Sequence, residues 1–123
     1  MMQNEKTSET NDLISSEKVD GTSVYGRDGE RIGSVKSLMI EKRGGRVTDA
    51  VVSVGGFLGM GEKYHSLPWS TLKYDTDVDG YRLDVTEDQL RSGPTFDDAS
   101  RDTALDRAYQ HRVYSHYGVN PYW

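Results

Sequence analysis

Three carboxylates alternate along Asp75-Thr76-Asp77-Val78-Asp79-Gly80, the closest approach to a ligand motif in this chain. A backbone curled around a cation could converge such oxygens, as in the first half of a calcium loop. The acidic residue that would complete the loop belongs at position 86, where the sequence has Thr86, and Glu87 comes one place late. The flanks read as strands, not helices. Asp75, Asp77 and Asp79 are therefore weak cation candidates within what reads mainly as a solvated hairpin turn. His65, beside Tyr64 and near Glu62, has the chemistry for proton transfer, but one imidazole makes no site, and it reads as a surface or barrel-end residue. His111 and His116 do not share the i,i+4 face that a helical metal pair needs. Ser53, Ser66 and Ser70 stand in no nucleophile elbow or ordered triad. The glycines at 55, 56, 59 and 61 lack the spacing and the lysine of a phosphate-binding loop. With no cysteine, thiolate metal sites, disulfides and cysteine nucleophiles are excluded. No catalytic residue, enzymatic activity or cofactor is expected.

Charge narrows the partners. The 123 residues carry a formal net charge of −5, which argues against a general nucleic-acid binder. Residues 27–46 hold six basic and three acidic groups, whereas residues 77–106 hold nine acidic and three basic. Such polarity suits orientation of a partner or of a second copy. Lys36, Lys42, Arg43 and Arg46 form a local basic patch without an interleaved stacking array for bases. Residues 1–12 contain no apolar signal region, and no run approaches the roughly 18 apolar residues of a membrane span. A soluble cytoplasmic protein is expected.

The elements that must position these groups are legible in outline. Residues 1–12 have little to bury and are expected to be disordered. Ser15-Ser16-Glu17-Lys18-Val19 suits a short turn or helical start, and Val24-Tyr25 begins a strand. Gly26-Arg27-Asp28-Gly29-Glu30 is a turn leading into an imperfectly alternating strand that ends at Ile40. Arg43-Gly44-Gly45-Arg46 turns the chain into Val47–Val54, and strands this close must pair antiparallel. Gly55 and Gly56 allow a bend, after which Phe57 and Leu58 are expected to cap one end of the core. Tyr64, Ser66 and Trp69 belong to the next strand and its exit, with Pro68 at the strand end. Tyr81, Leu83 and Val85 share one face of a further strand. Thr86 with Gln89 forms a capping box for a short helix closed by Gly93-Pro94. Leu105, Ala108, Tyr109, Arg112, Val113, His116 and Tyr117 then form one stripe of a helix over about residues 99–117, with Ser100 or Asp98 as its cap and Gly118 at its C-terminal end.

Asp28-Gly29-Glu30-Arg31-Ile32-Gly33-Ser34-Val35, the run from Val51 to Gly61 and Leu67-Pro68-Trp69 together resemble the PRC-barrel family over about residues 14–85. That family includes the cytoplasmic domain of the photosynthetic reaction-centre H subunit and the C-terminal domain of a ribosome-maturation factor. The resemblance implies an all-β fold, a small SH3-like antiparallel barrel used for interaction or assembly, with no common catalytic residue set. The chain lacks the membrane helix of the first relative and the additional N-terminal domain of the second. The expected organisation is a disordered tail over 1–12, a barrel domain over 13–96 and a helical, aromatic extension over 97–123.

The resulting expectation is a non-enzymatic protein-interaction or assembly module. Its recognition surface would join Phe57, Leu58, Tyr64 and Trp69 at the barrel end to Tyr109, Tyr114, Tyr117, Tyr122 and Trp123 of the tail, since aromatics bury large areas while keeping polar handles. Arg27, Arg31 and Arg46 would orient an acidic partner, or the acidic half of another subunit in a homodimer. Docking of the tail within its own chain or on another stays open. A small-molecule or metal-sensing domain, a weak hydrolase and an RNA-associated accessory protein are the alternatives.

Overall fold

A computed structural model describes residues 12–55 and 63–123. Seven strands form one sheet: β1 (Ser23–Tyr25), β2 (Arg31–Ile40), β3 (Val47–Val54), β4 (Lys63–Pro68), β5 (Leu72–Asp75), β6 (Gly80–Leu83) and β7 (Thr95–Phe96). The helices are α1 (Ser16–Val19), α2 (Glu87–Ser92) and α3 (Arg107–His116), with 3₁₀ segments at Trp69–Thr71 and Asp98–Leu105. The β2–β3 pair is antiparallel as its turn requires, running from Gly33↔Val54 to Ile40↔Val47. Register shifts between Val35 and Ser37 and between Met39 and Ile40 account for the imperfect alternation of β2, because each bulge resets which face a side chain meets.

The expected all-β, closed antiparallel barrel is corrected. The strand order is β5-β6-β1-β2-β3-β4-β7, and the sheet is open with β5 and β7 as its edges. The β1–β6 pair is parallel, Val24 opposite Tyr81. A parallel neighbour needs a long return connection, which here is made by β2 to β5. Helical segments contribute a large share of the chain, so all-β does not describe it. The edges are short, four residues in β5 and two in β7, which limits the unpaired backbone they present.

The tail is also corrected. A 3₁₀ segment and an α-helix replace the single helix, separated at Asp106 in extended conformation (φ −84°, ψ 123°). Asp106 accepts the Ala108 N–H at 3.1 Å and starts α3, so a local side-chain cap wins over helix continuation. Asp97, not Ser100 or Asp98, caps the 3₁₀ segment, in a reciprocal box with Ser100. The new start rotates the buried stripe of α3 to Tyr109, Gln110, Val113, Tyr114 and Tyr117, and leaves Leu105, Ala108 and Arg112 exposed. Two local expectations hold. Thr86 and Gln89 form the capping box of α2 with both bonds at 3.0 Å. Gly118, at φ +69°, ends α3 in a Schellman motif in which its N–H donates to Ser115 O and Val119 N–H donates to Tyr114 O.

One apolar core runs through sheet and tail. Val24, Val35, Val52, Leu67 and Leu83 from the strands pack in the same cluster as Ala104, Tyr109 and Val113. α3 packs on β4, so β4 is buried on both faces from Tyr64 to Pro68. This double cover is why His65 lies in the interior and not at the surface.

Candidate interaction surface

The tail is fastened to the sheet by a buried polar cluster. Asp49 of β3 is 1% exposed. Its Oδ1 accepts from Thr48 Oγ1 at 2.6 Å and from Gln110 Nε2 at 2.7 Å. Gln110 Nε2 also donates to Thr48 Oγ1 at 3.0 Å, and Arg107 Nη1 donates to Gln110 Oε1 at 2.9 Å. The Tyr114 hydroxyl donates to Thr48 O. Burial raises the Asp49 carboxyl above its ordinary value, while its bonds from Thr48 and Gln110 and the charge of Arg107 pull it back. Burial likewise pushes the Tyr114 and Tyr117 phenols up to about 12. The sequence carried a signal for this cluster, a carboxylate inside the apolar run Val47-Thr48-Asp49-Ala50-Val51, but its partner on α3 lies 61 residues away.

Beyond the cluster the chain end stacks on cations. The Arg46 guanidinium lies 3.6 Å from the Tyr122 ring centroid and that of Arg107 lies 4.5 Å from the Trp123 ring. Tyr114 and Tyr122 meet Trp123 edge to face. Among the tail aromatics expected to form a recognition surface, Tyr109, Tyr114 and Tyr117 are thus core residues of their own chain, Trp123 is half-buried and Tyr122 is exposed.

The remaining candidates are dispersed. Tyr64 is buried and its hydroxyl donates to Asp98 at 3.0 Å. That bond and the Arg101 ion pair hold the Asp98 carboxyl below its ordinary value. Trp69 is half-buried against Tyr81, which Tyr74 meets edge to face at the β5 edge. Arg31 Nε donates to Ser23 Oγ at 2.9 Å. Phe57 and Leu58, like residues 1–11, lie outside the described residues.

The chemistry candidates do not converge. Asp75 Oδ2 accepts two bonds from Arg82, at 3.1 and 2.8 Å, while Oδ1 accepts the Asp77 N–H. Asp79 sits at φ 50° and accepts from Tyr74. This is a hairpin turn fixed by Arg82, which occupies the carboxylate a cation would need. No group of three or more metal-binding side chains occurs among the described residues. His65 is buried, and burial with the nearby Lys63 charge lowers its pKa. His116 meets Gln89 O at 2.7 Å, and His111 Nε2 accepts from Trp123 Nε1.

The described surface does hold a socket. Between the β1–β2 turn and α2 lies a pocket of about 270 Å³. Ile32, Leu83 and Leu90 supply its apolar floor, and Asp28, Glu30 and Glu87 its rim. Arg27, also on the rim, is tied to Asp84 at 3.3 Å.

Comparison with known proteins places the chain in a family but assigns it no specific role. Among curated proteins none matches. Among solved structures the chain is similar to RimM of Pseudomonas aeruginosa, described as a 16S ribosomal RNA processing protein, at 15% identity and a TM-score of 0.42. The match covers 65% of this chain and 48% of that one, so the chain spans about half the length of that relative. No helix among the described residues is long and apolar enough to cross a membrane. The PRC-barrel domain profile matches residues 11–90, and the chain therefore belongs to the PRC-barrel family, whose domains are generally non-catalytic protein-interaction modules.

Proposed function

We propose that this protein is a non-enzymatic assembly module of the cytoplasm that docks other proteins through the end of its sheet and not through its aromatic tail. The socket between the β1–β2 turn and α2 is the observation that carries the reading. An apolar floor under a carboxylate rim suits a protein side chain with an aliphatic stem and a cationic head. The tail argues the same way, because its large aromatics are spent on the core of their own chain. The absence of cysteine agrees with a reducing compartment.

Quantitative mass spectrometry of proteins captured from native extract tests the reading, with the full chain and a Leu90→Trp variant that fills the socket as baits. A saturable contact, with another protein or with the chain itself, that the variant loses is the expected result. Equal recovery by both baits, or recovery of nothing, overturns the socket as the docking site. Cell fractionation tests the compartment.

A further inference from the structure

A basic turn stands at the other end of the strand that begins at the socket. β2 begins at the socket, with Ile32 in its floor, and its ten residues lead to the turn carrying Lys42 and Arg43. At roughly 3.3 Å per residue the strand spans at most about 30 Å between them, shortened by its two bulges. α3 runs with one end toward each. Its first turn lies beside the chain end stacked on Arg46, through Arg107 and Trp123, and its last meets Gln89 and Ser92 of α2 through His116. The turn cannot reach the socket of its own chain.

The turn is built to present its cations. Glu41 N–H donates to Arg46 O at 2.9 Å and Gly45 N–H to Glu41 O at 2.8 Å, closing the loop, with Gly45 at φ +75°. Lys42 and Arg43 are exposed at its tip, and neither makes an ion pair among the described residues. On the socket rim Arg27 is engaged by Asp84 and Glu87 is shared with Arg91 at 2.8 Å, and Asp28 and Glu30 make no ion pair among the described residues. Two cations at one end and two carboxylates at the other, none of them in an ion pair among the described residues, thus match each other, with an apolar floor for the stem of Lys42 or Arg43.

We infer that the chain associates with itself head to tail, the Lys42-Arg43 turn of one copy entering the Asp28–Glu30 socket of the next. This rests on the assembly reading above and names its partner as a second copy of the chain. The contact joins two different patches, so each copy keeps one socket and one turn free and association continues beyond two copies unless a ring closes. Its charged rim makes it weaken with salt.

Sedimentation velocity on the full chain, with two complementary variants, tests this. One variant, Lys42→Glu/Arg43→Glu, loses the plug. The other, Asp28→Asn/Glu30→Gln, neutralises the socket without making it complementary to the altered plug, and keeps an acceptor for the residue-30 N–H that Asp28 now receives. Circular dichroism checks that both fold. The wild type is expected to grow in mass with concentration at low salt and to shrink in high salt. Each variant alone should associate at least about tenfold more weakly. Their equimolar mixture should stop at a one-to-one dimer, because one intact plug meets one intact socket. A monomeric wild type, variants that associate as the wild type does, or a mixture that stays monomeric would each overturn the inference. A monomeric wild type that still captures a different protein in a socket-dependent way would overturn self-assembly alone and leave the assembly reading standing.

Discussion

Gln110 Nε2 donates a 2.7 Å hydrogen bond to Asp49 Oδ1, joining the middle of α3 to the middle of the sheet. The bond lies in the interior, where an unsatisfied partner costs more than the bond itself contributes. Gln110→Leu should therefore lower stability by about 1–3 kcal/mol. An unchanged urea midpoint would show that the cluster does not hold the tail.

The same carboxylate gives stability a pH dependence of known sign. Burial raises the folded-state pKa of Asp49 above its ordinary 3.8. The folded chain then holds the proton more tightly than the unfolded chain. This contribution is complete below the unfolded value and is lost as pH rises through the folded one. The stability of wild type minus that of Asp49→Asn should fall as pH rises from about 4. A flat difference across that window would contradict the assignment.

His65 works on the other flank. Burial, helped by Lys63, lowers its pKa below the ordinary 6.5, so the folded state favours neutral imidazole. Its contribution is present above that value and is lost as pH falls through the folded pKa. The His65 ring resonance in NMR should titrate below pH 6.5, and His65→Leu should remove the matching loss of stability on the acid side. A midpoint at or above 6.5 would refute the burial argument.

Tyr109 is 1% exposed and meets Phe96 edge to face across the sheet–tail boundary. Tyr109→Ala should cost about 3–5 kcal/mol, the range for losing a large buried aromatic. If the tail were a free arm, the change would leave the melting temperature of the sheet intact.

Gly33 is a close-approach position, since a Cβ there would collide with the Ser53 carbonyl on β3. Gly33→Ala should cost about 1–3 kcal/mol or more in a denaturant titration, although alanine suits strands no worse than glycine. A neutral result would mean that the β2–β3 pair relaxes freely at this point.

The residues by themselves determined what is local. Asp28-Gly29 and Arg43 to Arg46 specify turns, Thr86 with Gln89 specifies a helix start, and Gly118 a helix end, because each acts within a few bonds of its own backbone. The family was legible for the same reason, from runs that build those turns and strands. Tertiary structure decided the rest. Whether a sheet closes depends on which edges meet, and the edges β5 and β7 are set by long-range pairing that no local pattern encodes. The helix stripe was read from Leu105 because periodicity is blind to where a cap restarts the helix, and Asp106 moved it to Gln110 and Tyr114. His65 reads as a surface or barrel-end residue because strand alternation assumes one solvated face, and α3 covers the second. The two turns and the basic patch were legible locally, but the socket was not, because its floor joins Ile32 to Leu83 and Leu90, which only the fold brings together.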